Sequence, residues 1–181
     1  ALARLIPPRI ALEILSRSKP FTEEPSLNFE YYLSLAHQHH RLGDYEESLI
    51  EVKRALEARG IPDEEVLRGK LLLAGVHLGL NNYQEALSSL DEVVKKSSYS
   101  DIQIQAKFMK GDTLQEFWRL KEAMEEYDEL QKRAIKKPLE LAILNNKGTL
   151  YHITGEPKEA LNEWKTGLHL SKGDKDTEAV F

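Results

Sequence analysis

The sequence has no cysteine, so neither a disulfide nor thiolate chemistry is available to it. No apolar run approaches the roughly 20 residues needed to cross a bilayer, so no membrane span is expected. Basic charge is not in excess either. The formal net charge is −5, which argues against a nucleic-acid partner, because affinity there rests on neutralising phosphates. No glycine-rich phosphate loop, nucleophile–base pair or zinc-ligand spacing is present, so neither an enzyme nor a cofactor is expected. The chain begins at Ala1 rather than Met, and ALARLIPPRI is not a signal peptide, which reads as a fragment or a processed form. The lack of cysteine suits the cytosol and the periplasm equally; a cytoplasmic location is expected, with the periplasm left open.

What the sequence does contain is one pattern, four times over. LAHQHHRLGDYEESLIEVKRAL (35–56) returns as LAGVHLGLNNYQEALSSLDEVV (73–94), KGDTLQEFWRLKEAMEEYDELQ (110–131) and KGTLYHITGEPKEALNEWKTGL (147–168). Each copy reads as a helix, a tight turn and a second helix, with apolar residues at helical spacing. With 181 residues, 41% hydrophobic and 30% charged, the chain can bury a sizeable core under a well-solvated surface. About nine helices are predicted, near 9–18, 28–42, 45–59, 62–79, 82–97, 101–117, 119–136, 139–153 and 156–171, with no sheet. Pro7-Pro8 keeps the first residues irregular. Lys19-Pro20 ends the first helix, and a linker runs from Phe21 to Ser26. Gly43 and Gly60 end helices by adopting left-handed geometry, Pro62 opens one, and residues from Gly173 onward form a frayed polar tail.

Several positions agree across the copies. A small residue recurs on the first helix as Ala36, Ala74, Gly111 and Gly148. The turns are Gly43-Asp44-Tyr45, Asn81-Asn82-Tyr83, Trp118-Arg119-Leu120 and Gly155-Glu156-Pro157. A second small residue follows as Ser48, Ala86, Ala123 and Ala160, then a large apolar one as Val52, Leu90, Tyr127 and Trp164. This pattern resembles the tetratricopeptide repeat (TPR), a helix–turn–helix unit of about 34 residues, over roughly Phe29 to Lys172. Successive copies here stand 38, 37 and 37 residues apart, so the first helices are expected to be longer than the family norm. The resemblance implies an all-α, right-handed superhelical solenoid of antiparallel helix pairs. Its parts would be an N-terminal half-hairpin and linker (1–26), four repeats within 27–172 (about 29–62, 67–100, 104–137 and 141–174) and a tail (173–181).

In such a solenoid the first helices line a concave groove. By that geometry Leu33, His37 and Arg41 face the groove from the first repeat, and Arg68, Leu71, Leu72 and Leu78 from the second. Phe108, Met109 and Asp112 face it from the third, and Asn145, Asn146 and Thr149 from the fourth. The function implied is a non-catalytic protein-interaction module or scaffold that holds a helical or extended peptide there. Alternatives are a ligand-sensing arm of a larger regulator and a structural subunit of an assembly. The lysine–asparagine clamp with which one TPR subfamily holds acidic chaperone tails is absent, because its positions fall on Leu33, His37, Leu72, Gln105 and Met109. Lys110 and Lys147 occupy inner positions where leucine is usual; their stems are read as lying on apolar surface with the ammonium in water, the alternative being the groove. The paired positions His39 and His77 read as packing, and His37 with His40 is not assigned to a metal. Lys132, Arg133, Lys136 and Lys137 read as cations at a helix C-terminus. Both ends of the stack are expected to need covering, so association through one end is predicted.

Overall fold

The computed structural model describes residues 6–17, 24–98, 100–133 and 135–172, which contain nine α-helices and no strand. They are α1 (Pro8–Arg17), α2 (Pro25–Leu42), α3 (Tyr45–Leu56), α4 (Asp63–Gly79), α5 (Tyr83–Lys96), α6 (Ser100–Glu116), α7 (Leu120–Gln131), α8 (Lys137–Ile153) and α9 (Pro157–Ser171). The stop at Lys19-Pro20 and the tail from Gly173 lie outside the described residues. Pro25 and Ser26, expected in a linker, open α2 instead, with Pro25 in the first turn where its missing N–H costs nothing. Helix α7 stops at Gln131 rather than near 136. Lys136 is extended (φ −73°, ψ 144°) as the N-cap of α8, and Pro138 sits in that helix's first turn. The basic run is thereby divided. Lys132 caps the C-terminus of α7, but Lys136 and Lys137 stand at the N-terminus of α8, the unfavourable end for a cation.

The four turns inside the hairpins are one structure. Their first residues, Gly43, Asn81, Trp118 and Gly155, all have positive φ, at 82°, 59°, 59° and 83°. The following amide donates back to the carbonyl five residues earlier: Asp44 to His39 (3.0 Å), Asn82 to His77, Arg119 to Leu114 and Glu156 to Tyr151 (each 2.8 Å). This is the Schellman closure, which satisfies carbonyls left over at a helix end. Glycine or asparagine suits the left-handed residue; tryptophan does not, because its Cβ crowds the carbonyl oxygen.

The hairpins close by matched size. Ala36 and Val52 are fully buried, as are Ala74 and Leu90 at the same two positions one repeat on. Where the second position holds Tyr127 or Trp164, the first is Gly111 or Gly148. A Cβ on Gly111 would sit 2.6 Å from the Tyr127 ring, and one on Gly148 would overlap the Trp164 indole. Ser48, also buried, donates its hydroxyl to the Ala36 carbonyl (2.8 Å) across the first hairpin.

The chain divides into two compact units, Ala1–Gln103 and Ile104–Phe181. In the first, α2 packs against α1, α3 and α4, and α4 against α3 and α5. Both helices are therefore covered on more than one side. Phe29, Leu33, Ala36, Val52, Ala55, Leu72 and Val76 form its core. In the second, α8 packs against both α7 and α9.

Candidate functional site

The residues expected in the groove divide according to unit. Leu33 and Leu72 belong to the core of the first unit, and Leu71 is buried as well. These three assignments are corrected: Leu33, Leu71 and Leu72 are packing residues. A helix with neighbours on several sides buries more than one stripe, whereas the groove reading assumed a single buried face. Arg68 pairs with Glu64 (2.6 Å) and Asp101 (3.4 Å). Gly79 abuts the Tyr45 ring. His37 and Arg41 are exposed, and Leu78 is partly so; Arg41 donates to the Gln38 side chain (3.0 Å) and the Ile6 carbonyl (3.4 Å).

In the second unit the corresponding residues are partly open. Phe108, Met109 and Asp112 on α6, and Asn145, Asn146 and Thr149 on α8, are all half-buried. Thr149 bonds back to the Asn145 carbonyl (3.0 Å), which also accepts the Trp164 indole N–H (3.4 Å). At the centre lies a three-residue network. The Tyr127 hydroxyl donates to Asp112 Oδ1 (2.6 Å), and Asn146 Nδ2 donates to the same oxygen (2.7 Å) and to the Tyr127 oxygen (3.1 Å). Burial pushes the Asp112 carboxyl up to about 6, despite the hydrogen bonds from Tyr127 and Asn146 that oppose the rise; the charge of Glu116 adds to it. The Tyr127 phenol is raised as well, by burial and then by Asp112. The Phe108 ring lies 6.1 Å from that of Tyr127.

This network was not read from the sequence, although one signal pointed to it. Tyrosine replaces Val52 and Leu90 at an apolar slot, and a buried phenol needs a hydrogen-bond partner. A polar residue one helix away was therefore required.

Lysines are the other departure. Lys147 is only 6% exposed, and its ammonium is held by acids of neighbouring helices. It lies 2.8 Å from Asp128 on α7, 3.2 Å from Glu163 on α9 and 2.7 Å from Gln131 Oε1. Burial lowers its pKa, but the two carboxylates outweigh that and hold it above the ordinary lysine value. Lys110 pairs with Glu126 (2.8 Å), as does the buried Lys107 (3.5 Å), which also pairs with Glu129. The pairs repeat with the hairpins: Lys70–Glu92 recurs as Lys107–Glu129, and Lys110–Glu126 as Lys147–Glu163. The signal was the 37-residue recurrence of each lysine together with its acid.

Two further surfaces are exposed. At α9, Leu161 and Leu168 flank Trp164 around an apolar hollow of about 380 Å³ that Asn145 and Lys165 also line. On α1, Ile10 and Ile14 are half exposed. Among the described residues no group of three or more His, Asp or Glu could hold a metal ion, and no helix is long and apolar enough to cross a membrane.

Residues 29–60 match the tetratricopeptide repeat family model. No curated protein matches the sequence. Solved structures do resemble it. The TPR-like repeats of a kinesin light chain from Podosopora anserina superpose with a TM-score of 0.76 at 18% identity, over 97% of this chain and 93% of that one. MamA from AMB-1 gives 0.70 at 19% identity, over 94% of each chain. The Rap conjugation gene regulator of plasmid pLS20, solved in complex with the Phr* peptide, gives 0.74 at 14% identity, over 95% of this chain and 49% of that one. Identities this low speak for the fold alone. The repeated hairpins, their common turn and the family signature at residues 29–60 give the chain an all-α, tetratricopeptide-repeat-like fold built from antiparallel helix pairs.

Proposed function

We propose that the chain is a non-catalytic interaction module, and that the face of the second unit formed by α6 and α8 holds a peptide segment of a protein partner. The observation that carries this reading is the half-buried set Phe108, Met109, Asp112, Asn145 and Asn146, which combines an aromatic anchor with polar groups. Aromatic residues dominate the binding energy of interfaces, and a few placed polar groups supply orientation. The pLS20 Rap regulator, of like fold, is itself bound to a peptide. In the first unit Leu33, Leu71 and Leu72 are packed away. The test is selection of displayed random peptides followed by NMR mapping of those retained. Peptides that perturb Phe108, Met109 and Asn145 support the reading. Failure to retain any peptide, or perturbation confined to α1 and α9, overturns it.

A second reading concerns the ends. The hollow around Trp164 on α9 and the half-exposed Ile10 and Ile14 of α1 are both apolar surfaces. Joining them between copies would be a head-to-tail contact, which is open-ended rather than closed. Sedimentation should then show concentration-dependent growth that Leu161→Asp abolishes; a concentration-independent monomer refutes it.

A further inference from the structure

The hydrogen bonds of the Asp112–Tyr127–Asn146 network settle which valences remain. The phenol proton goes to Asp112 Oδ1, and the Asn146 amide nitrogen donates to both Asp112 Oδ1 and the Tyr127 oxygen, which lie close enough together to share one of its hydrogens. Two acceptors remain: Asp112 Oδ2 and Asn146 Oδ1 carry no hydrogen bond within the protein, yet neither is a sealed, orphaned atom. Both oxygens are therefore open to solvent. Lys107, Lys110 and Lys147 point elsewhere, being bound to acids of α7 and α9. Glu116, one helical turn beyond Asp112, adds a second negative charge. One turn before Asp112 stands Phe108, half-exposed.

We propose that Asp112, Asn146 and Phe108 form a recognition site for an arginine side chain of the bound segment. Its guanidinium would donate to Asp112 Oδ2 and Asn146 Oδ1 and lay its flat face on the Phe108 ring. The inference rests on the peptide-binding reading given above and specifies what that face selects. The chemistry excludes the other classes in turn. A phosphate or carboxylate would meet the like charge of Asp112 and Glu116. An apolar residue would desolvate a carboxylate without replacing its hydrogen bonds, which is costly. Among cations, arginine offers several donors in one plane and stacks on aromatic rings, whereas an ammonium is a strongly hydrated point charge. The preference is opposite to that of a cationic clamp for acidic tails.

The test uses small probes on the whole chain, read by NMR at neutral pH. N-acetylarginine amide should shift the Asn146 side-chain amide and the Phe108 ring signals saturably and move the Asp112 titration to lower pH. N-acetylcitrulline amide, nearly the same shape without the charge, should bind at least about tenfold more weakly. Asp112→Asn should remove that difference, and Asn146→Ala should weaken the arginine probe while leaving the fold intact. No response to the arginine probe, equal responses to the two probes, or an arginine response that survives Asp112→Asn overturns the proposal. The underlying reading fails separately. Arginine-free displayed peptides that perturb Phe108 and Met109 equally in the parent and in Asp112→Asn uphold the peptide face and overturn the arginine site.

Discussion

The same helical positions make core in one unit and surface in the other. Leu33 and Leu72 in the first unit and Phe108 and Met109 in the second were all expected on one concave wall. Leu72 is 8% exposed and packs with Phe29, Leu33 and Val76, whereas Phe108 and Met109 stay half-open. Sequence pattern alone does not distinguish them, because an apolar residue off the main stripe reads the same whether a further helix covers it or nothing does. Helix α2 has α1, α3 and α4 against it, and such a helix buries several stripes.

The comparison can be broken most forcefully at Leu72. Leu72→Asp places an unpaired charge in the core, and a loss of about 4 kcal/mol or more is expected. Denaturant melting checks this; a loss near zero would return Leu72 to the surface. Next in size is the closure of the last hairpin. Gly148→Ala drives a Cβ into the Trp164 indole, which should cost about 3 kcal/mol by overpacking. Adding Trp164→Leu recreates the Ala74–Leu90 pairing of the second hairpin and should recover most of that loss. A double variant no better than Gly148→Ala would refute size matching.

A smaller effect is expected at Asp112, and it depends on pH. Its folded pKa, about 6, lies above the ordinary value of 3.8. Stability from this group is thus complete below about 3.8 and is lost as pH rises through about 6. Groups facing it are Glu116 on its own helix, Tyr127 on α7 and Asn146 on α8. Asp112→Asn, which cannot ionise, should gain on the parent across that window, by on the order of 1 kcal/mol after solvent screening. A pH-independent difference in melting would contradict the shift.

The smallest effect is a gain. Trp118 is 74% exposed and left-handed where the other hairpins place glycine or asparagine. Trp118→Gly should stabilise the third hairpin by about 1 kcal/mol. A fall in melting temperature would show that the indole contributes packing.

Much of the fold was legible because repetition averages out local ambiguity. Four copies with small residues at Ala36, Ala74, Gly111 and Gly148 locate the hairpins even where one copy departs, as the turn at Trp118 does. Chain ends of elements were less legible. The early start of α2 turns on Pro25, which fits the first turn of a helix as readily as a linker. The site was legible in part. Asp112, Asn145 and Asn146 were placed on the right helices, but the link through Tyr127 was not, because Tyr127 was read only as a core residue. Lys147 was misjudged for a related reason: its partners Asp128 and Glu163 lie on two other helices, and only packing brings them together.

The measurement that bears most directly on the two surfaces is thermal melting of Phe108→Asp beside Leu72→Asp, with binding of a selected peptide followed in the same samples. Phe108→Asp is expected to melt close to the parent while binding weakens by about 2 kcal/mol or more, and Leu72→Asp to melt far lower. If Phe108→Asp instead collapses as Leu72→Asp does, Phe108 is core, and the α6–α8 face is not a binding surface.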